Sequence, residues 1–215
     1  MKKCKLILVY DPLCGWCYGF GPVLNQLKAK YKARLDFEVL SGGMITGRSV
    51  GPLSNMAEFI SKAYPVVEAH TGIKFGSGFL AALREGRGTF SSLEPGNVLT
   101  VLKEMFPDES PEASHEIQEL IYRDGIDPVH YQAYLPLFRR RGIEDKLALE
   151  RLNSAETSQL TVHEFAQAQT WGIRGFPACI METPSGKLYG ISNGYSPFDD
   201  LELKIMPYLM KPENP

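Results

Sequence analysis

The sequence predicts an α/β fold in which a core sheet carries a large all-helical insertion. Near the N-terminus, two strand-like runs flank a helical pattern, as in a strand-helix-strand unit. Near the C-terminus, two further strand-like runs precede a last helix, and the long segment between the two halves has a helical pattern throughout. We therefore assign residues 1–51 and 154–215 to a discontinuous core and residues 52–153 to the insertion.

The first half of the core is predicted from three adjacent patterns. Residues 6–10 are almost wholly apolar, which is typical of a central strand buried on both faces. Between residues 22 and 32 the apolar side chains recur at helical intervals, and residues 35–40 alternate before a Ser-Gly-Gly exit at residues 41–43. Two strands joined through a helix in this way are expected to be parallel.

In the insertion, helix starts are expected where proline stands in a first helical turn, at Glu94-Pro95, Ser110-Pro111 and Asp127-Pro128. The apolar stripes that follow are interpreted as core faces without chemistry.

The second half of the core is predicted to contain two helices and a hairpin. A helix is expected from Ser158 to Gly172, then strands at residues 178–182 and 187–192 joined by a turn. The last helix should begin at Ser196-Pro197, and Pro207 is expected to kink it or to end it early.

Composition and charge narrow the class of protein. A chain of 215 residues with 44% hydrophobic residues and 4 cysteines can bury an ordinary globular core without disulfide staples. The net charge of -2 gives no reason to expect nucleic acid or an anionic membrane as a partner, and the arginine run at residues 139–141 is expected to be the solvated end of a helix. No run approaches a membrane span, and the N-terminus lacks a signal-peptide cleavage pattern. A cytoplasmic location is the expectation, unless a leader has been removed.

The most informative motif is the pair Cys14 and Cys17, which directly follows the first predicted strand at the start of a helix. A thiol at that position can sit over unpaired backbone N–H groups, which favours the thiolate and disulfide exchange. We therefore predict that Cys14 is the nucleophile and that Cys17 resolves the mixed disulfide.

Zinc binding is the alternative for a Cys-x-x-Cys pair, because the same spacing forms half of many metal sites. A second half is missing, since Cys4 and Cys179 stand alone and the four histidines contain no His-x(3–5)-His pair. Redox chemistry without a metal is therefore favoured.

Three segments carry a family resemblance: DPLCGWCYGF at residues 11–20, GGM at residues 42–44 and GIRGFP at residues 172–177. Together they resemble the DsbA-like branch of the thioredoxin superfamily and, more narrowly, the cytoplasmic bacterial proteins described as protein-disulfide isomerases. The resemblance covers essentially the whole chain. It implies a thioredoxin-like core and a thiol-disulfide oxidoreductase or isomerase that uses no cofactor, with glutathione as one option for the reductant.

The same resemblance implies the substrate-binding residues. Pro177 would be a cis-proline facing the cysteine pair, and Trp16, Phe176 and Pro177 would form the surface that receives an extended peptide by strand addition. The alternative is a trans proline that only begins a strand.

Two departures from the best-known members limit what the resemblance implies. Those proteins have a buried acid six positions before the first cysteine, where this chain has Leu8. Asp11 is the nearest acid, and it is expected either to exchange a proton with Cys17 or to cap the helix turn. The pair also encloses Gly15-Trp16 without a histidine, so an intermediate or reducing potential is expected. Cys179 is open to either a third redox role or a buried structural role.

Two other functions remain open. Kappa-class glutathione transferases and hydroxychromene carboxylate isomerases resemble the same inserted fold, but they typically have serine where Cys14 stands. A non-catalytic adaptor that uses the helical groove would need neither cysteine. The expected partners are protein or small-thiol disulfides and an unidentified recycling partner, with neither nucleic acid nor membrane.

Overall fold

A computed structural model describes residues 2–210 of the chain, the side chain of residue 210 excepted. Within these residues the main sheet has four strands, in the order β2-β1-β5-β6, and a separate two-stranded sheet pairs β3 with β4. The strands are β1 (Cys4–Tyr10), β2 (Leu35–Ser41), β3 (Gly51–Pro52), β4 (Thr89–Phe90), β5 (Ala178–Glu182) and β6 (Leu188–Asn193).

The helices surround the main sheet and fill the segment between β2 and β5. They are α1 (Gly15–Tyr31), α2 (Ala57–Thr71), α3 (Ser77–Glu85), α4 (Leu93–Met105), α5 (Ser110–Tyr122), α6 (Leu135–Arg139), α7 (Asp145–Leu152), α8 (Ala155–Thr170) and α9 (Phe198–Met210). No helix within residues 2–210 is both long and apolar enough to cross a membrane.

Strand β1 is central to the main sheet, as its apolar sequence predicts. It pairs with β2 in parallel and with β5 in antiparallel orientation. Its side chains alternate between the two faces of the sheet. Leu6 and Leu8 belong to the large core beneath α1, whereas Ile7 and Val9 pack with Ala168 of α8. Because both faces of β1 are covered, its carboxyl end is held rigidly at the point where the cysteine pair begins.

The predicted parallel strands and the C-terminal hairpin are confirmed, with β5 and β6 antiparallel. In the insertion, α4 and α5 begin close to the predicted prolines. The division of the chain into core and insertion stays a prediction.

The expected helix start at Asp127-Pro128 is wrong. A 3-10 turn begins only at Tyr131, and α6 follows it. The Asp127 carboxylate instead accepts hydrogen bonds from the backbone N–H groups of Thr89, at 3.1 Å, and Val129, at 3.4 Å. Its side chain therefore ties a turn to β4, a contact that local sequence does not reveal.

Two helix ends also differ from expectation. Helix α8 begins at Ala155, ahead of the predicted start, because the Ser154 hydroxyl accepts a hydrogen bond from the Thr157 N–H at 3.1 Å and caps the helix. Helix α9 continues past Pro207 to Met210, so of the two expected outcomes the early end does not occur, and a kink at Pro207 stays a prediction.

The arginine run is solvated only in part. The Arg141 side chain is 10% exposed and lies 2.8 Å from carboxylate oxygens of both Glu109 and Glu116. The expectation of a simple solvated helix end is therefore wrong for Arg141, which joins the segment after α6 to the start of α5.

Candidate active site

The cysteine pair lies where β1 passes through a short turn into α1. Cys14 is the N-cap residue of α1, so its own N–H donates back to the Asp11 carbonyl at 3.1 Å, and its carbonyl accepts from the Tyr18 N–H at 3.1 Å. Cys17 lies in the first turn of the helix. The unpaired N–H groups of this first turn provide a partial positive charge beside the thiols.

The two cysteines lie close together. Cys14 and Cys17 approach each other to 3.3 Å, and no disulfide joins them. Burial raises the pKa of Cys17 well above its ordinary value, and a hydrogen bond with Cys14 and the charge on Cys14 raise it further. The Cys17 thiol therefore holds its proton strongly.

The loop before β5 borders the Cys14 side chain. The Cys14 thiol donates to the Phe176 carbonyl at 3.5 Å, and the peptide bond between Phe176 and Pro177 is cis. The Phe176 ring packs directly over Gly42, where an added Cβ would lie 2.0 Å from the ring. The absence of a side chain at Gly42 therefore allows the Phe176 ring to pack against this loop.

Asp11 is fully buried and organises the turn with both of its oxygens. Its Oδ1 accepts from the Leu13 N–H at 2.9 Å and from the Ser92 hydroxyl at 3.1 Å, and its Oδ2 accepts from the Met44 N–H at 2.7 Å. Burial nevertheless raises the pKa of Asp11 to about 6, with the hydrogen bonds opposing that shift. The charge on Asp11 also raises the pKa of Cys17. Asp11 therefore orders the turn before α1, while its exchange of a proton with Cys17 stays a prediction.

Sequence reasoning missed two residues of this network. Ser92 donates to Asp11 and accepts from the Ile45 N–H at 2.9 Å, so it joins the cysteine turn to the segment after β2. Gln118 of α5 is 1% exposed, and its side-chain amide reaches the carbonyls of the cysteine turn. Both residues lie in the predicted insertion, far from the motif in sequence. One indication in the sequence that Gln118 has a buried partner is that it is a polar residue beside the apolar stripe of its helix.

A groove of about 500 Å³ opens beside Cys14. Helix α2 forms one wall, with the exposed ring of Phe59 and the side chains of Ile60 and Tyr64, and Trp16 lines the groove as well. Among the described residues that line the groove, Arg174 is the only charged one. The groove is therefore an apolar surface with one cation, next to Cys14.

Trp16 is fixed by its aromatic neighbours. Its ring lies 5.7 Å from the His70 ring in an edge-on arrangement and 6.2 Å from the Tyr195 ring, measured between centroids. The indole therefore lies between α2 and the segment before α9, beside the cysteine pair.

Cys179 lies in the core of the sheet, paired in register with Leu8. Burial raises the pKa of Cys179 to about 12, although the nearby Ser192 hydroxyl opposes that shift. This environment is that of an inert buried thiol. Within residues 2–210, no group of three or more His, Cys, Asp or Glu side chains is placed to hold a metal ion.

Three features define a thioredoxin-like protein of the DsbA class. They are the topology of the main sheet, the cysteine pair at the start of α1 and the proline loop beside the first cysteine. The chain belongs to the family of DSBA-like thioredoxin domains, whose profile matches residues 5–206. The resemblance and the fold class expected from the sequence are both confirmed.

Two solved structures are similar over nearly the full length of the chain. A Nitrosomonas europaea protein, provisionally named a protein disulfide isomerase, is 26% identical with a TM-score of 0.82, over 97% of this chain and 98% of its own. The cytosolic disulfide reductase DsbM from Pseudomonas aeruginosa is 25% identical with a TM-score of 0.77, over 95% and 98% of the two chains.

A 2-hydroxychromene-2-carboxylate isomerase shares the fold alone, at 13% identity and a TM-score of 0.61 over 86% of this chain and 88% of its own. Among curated proteins, no sequence matches the chain.

Proposed function

We propose that the protein is a thiol-disulfide oxidoreductase that exchanges disulfides through Cys14 and Cys17. The observation that carries the proposal is the closeness of Cys14 and Cys17, which approach each other to 3.3 Å at the start of α1. The difference in their surroundings supports Cys14 as the proposed nucleophile, because Cys14 borders the groove whereas Cys17 is completely buried and has a strongly raised pKa.

The exchange consists of two displacements. The Cys14 thiolate attacks one sulfur of a substrate disulfide, the substrate S–S bond breaks, and the departing sulfur leaves as a thiolate that takes a proton from solvent. Cys17 then loses its proton and attacks the Cys14 sulfur. The mixed disulfide breaks, the second substrate thiol is released, and the Cys14–Cys17 disulfide holds the oxidised state. Two electrons pass to the substrate, and an external thiol must return them.

Asp11 is the proposed acceptor for the Cys17 proton. Its pKa of about 6 leaves it mostly ionised at neutral pH, yet basic enough to share a proton with a neighbouring thiol. The negative charge of Asp11 raises the pKa of the Cys17 thiol. Transfer to Asp11 would relieve that repulsion at the moment when Cys17 must become a thiolate.

The groove supports disulfide-containing protein segments as substrates. An extended segment could pair with the main chain at Phe176 and Pro177 while its apolar side chains rest on Trp16 and α2. The intact cysteine pair disfavours the kappa-class-like glutathione transferase alternative, whose members typically carry serine in place of Cys14. Glutathione stays in the proposal as a candidate reductant without being a bound cofactor.

Similarity to a solved structure supports the proposed redox direction and location. The Pseudomonas aeruginosa neighbour is named a cytosolic disulfide reductase. We therefore place this protein in the cytoplasm and expect it to act mainly as a reductase. The absence of a histidine between the thiols supports a reducing potential, because no imidazolium stabilises the thiolate there.

A redox titration tests the proposal. The protein is equilibrated in glutathione buffers of graded ratio, trapped with a thiol alkylating reagent, and analysed by mass spectrometry. One two-electron couple that links Cys14 to Cys17 is expected, and a strongly oxidising midpoint would contradict the reductase assignment. Cys14→Ser should abolish exchange with a disulfide peptide. Full activity of a variant with serine at both positions would instead indicate a non-catalytic role for the pair.

A further inference from the structure

The most unusual contact of the cysteine turn comes from the helical insertion. The side-chain nitrogen of Gln118 lies 3.2 Å from the Asp11 carbonyl oxygen, 3.3 Å from that of Pro12 and 3.2 Å from that of Cys14. We infer that Gln118 is a positioning residue for the Cys14 thiol, an inference that rests on the proposed function.

The chemistry of the contact defines the orientation of the amide. All three neighbours are carbonyl oxygens, which only accept hydrogen bonds, so the NH₂ group must face the turn. An amide oxygen in the same place would face three acceptors without a donor. The two N–H groups are shared among the three carbonyls, and they reach the turn from a position 1% exposed to solvent.

Gln118 and Asp11 hold complementary parts of the same turn. The Asp11 carboxylate accepts from the Leu13 N–H, while Gln118 donates to the carbonyls. With both sets of groups engaged, the peptide planes between β1 and α1 cannot rotate freely. The orientation of these planes sets which dipoles face the thiol at the helix start.

The consequence for the thiol is electrostatic. Helix α1 favours the Cys14 thiolate only while its first-turn N–H groups face the sulfur and the negative carbonyl ends face elsewhere. Gln118 binds the Cys14 carbonyl, whereas the Cys14 sulfur contacts the Phe176 carbonyl. Gln118 thus acts on reactivity through the backbone of the turn and does not touch the reacting atoms.

A purely structural role for Gln118 makes a different prediction. If the amide only docked α5 onto the core, its loss would lower the free energy of unfolding and leave the reduction potential unchanged. A positioning role changes the thiolate, and therefore also the equilibrium between dithiol and disulfide. The potential is the readout that separates the two roles.

The test compares Gln118→Met with the wild type in glutathione buffers. Methionine keeps a similar length and removes the donors. Because the lost donors act on the thiol only through the backbone, we expect the equilibrium constant with glutathione to change several-fold and at most about tenfold, toward the disulfide. A tenfold change corresponds to about 30 mV for a two-electron couple. The rate at which Cys14 attacks a disulfide peptide should fall in parallel.

Ser114→Ala is the matched control, because it lies one turn earlier on α5. The buried Ser114 hydroxyl donates to the Pro111 carbonyl within the helix, at 2.8 Å. Its loss should lower stability without changing the glutathione equilibrium. If Gln118→Met behaves like Ser114→Ala, the positioning role is wrong and the proposed function stands.

Gln118→Glu supplies a second readout if the methionine variant does not fold. An ionised carboxylate would face the three carbonyls without a donor, whereas a protonated one regains a single O–H donor. The potential of this variant should therefore approach that of the wild type as the pH falls. A difference from the wild type that is independent of pH would overturn the inference, and a wild-type protein without any titratable couple would overturn the proposed function itself.

Discussion

Replacing Asp11 by asparagine is expected to change how stability depends on pH. The pKa of the Asp11 carboxyl rises on folding from 3.8 to about 6, mainly because the group is completely buried. The folded state therefore binds the proton more tightly than the unfolded state. The resulting stabilisation is fully present below about pH 4 and is lost as the pH rises through about 6. At about 1.4 kcal/mol per pKa unit, the shift corresponds to roughly 3 kcal/mol.

The assay is urea unfolding of the reduced wild type and of Asp11→Asn at several values between about pH 4 and pH 8. The useful quantity is the free energy of unfolding of the wild type minus that of the variant, because the other titrating groups cancel in it. This difference should fall by about 2.5 kcal/mol from the acidic to the neutral end of the series, because the unfolded-state carboxyl is already partly ionised at pH 4.

The control is Asp145→Asn. The Arg139 guanidinium lowers the pKa of Asp145, so its contribution to stability is lost as the pH falls, which is the opposite sign. The difference for this variant should decrease only at the most acidic values. A difference for Asp11→Asn that stays flat across the series would refute the reasoning, since it would mean that burial does not raise the pKa of this carboxyl.

Three further substitutions test which residues attack the substrate, which bind it and which take no part in the reaction. The Cys17→Ser variant should still attack substrate disulfides but fail to release them. A mixed disulfide at Cys14 should therefore accumulate and be detected by mass spectrometry, and turnover should fall by about 100-fold or more. Phe59→Asp places a charge on the groove wall. It should raise KM for peptides that have apolar residues next to the disulfide, while kcat changes little. An unchanged KM would show that this wall does not bind the substrate. Cys179→Ala should keep full exchange activity and lose about 1 kcal/mol of stability, whereas a loss of turnover would reveal a redox role for this buried thiol.

The parts of the fold that sequence predicted are those that depend on nearby residues. The apolar run of β1, the alternation of β2 and the cysteine pair at the start of α1 each lie within a few residues of their own signal. The wrong helix start at Asp127-Pro128 has the opposite origin. A distant backbone N–H of Thr89 competes for the Asp127 carboxylate, and no local pattern contains that information.

The residues of the candidate site also fall into two groups, those that a local motif predicts and those that distant contacts bring to the site. Cys14, Cys17 and Pro177 were accessible because their spacing and context form a motif. Gln118 and Ser92 were not, since they reach the motif across 107 and 81 residues from Asp11. A polar residue on a core-facing helix is compatible with many partners, so sequence could indicate that Gln118 needed one without identifying the cysteine turn.

The buried acid of this chain lies at the end of β1 and not in the middle of the strand. Leu8 occupies the middle of β1, between Val39 and Cys179 in the register, where a carboxylate would have apolar neighbours and no free backbone donors. Asp11 lies beyond the strand end, where the turn supplies N–H groups to both of its oxygens.

That arrangement poses a chemical problem, because a carboxyl that accepts a proton from Cys17 must convert one acceptor into a donor. Ser92 can accommodate the change, since a hydroxyl that donates to Asp11 can rotate and accept from it instead. The Leu13 and Met44 N–H groups cannot reverse in this way. The proposed proton transfer to Asp11 is therefore compatible with its role in ordering the turn, because the Ser92 hydroxyl is a reversible hydrogen-bonding partner.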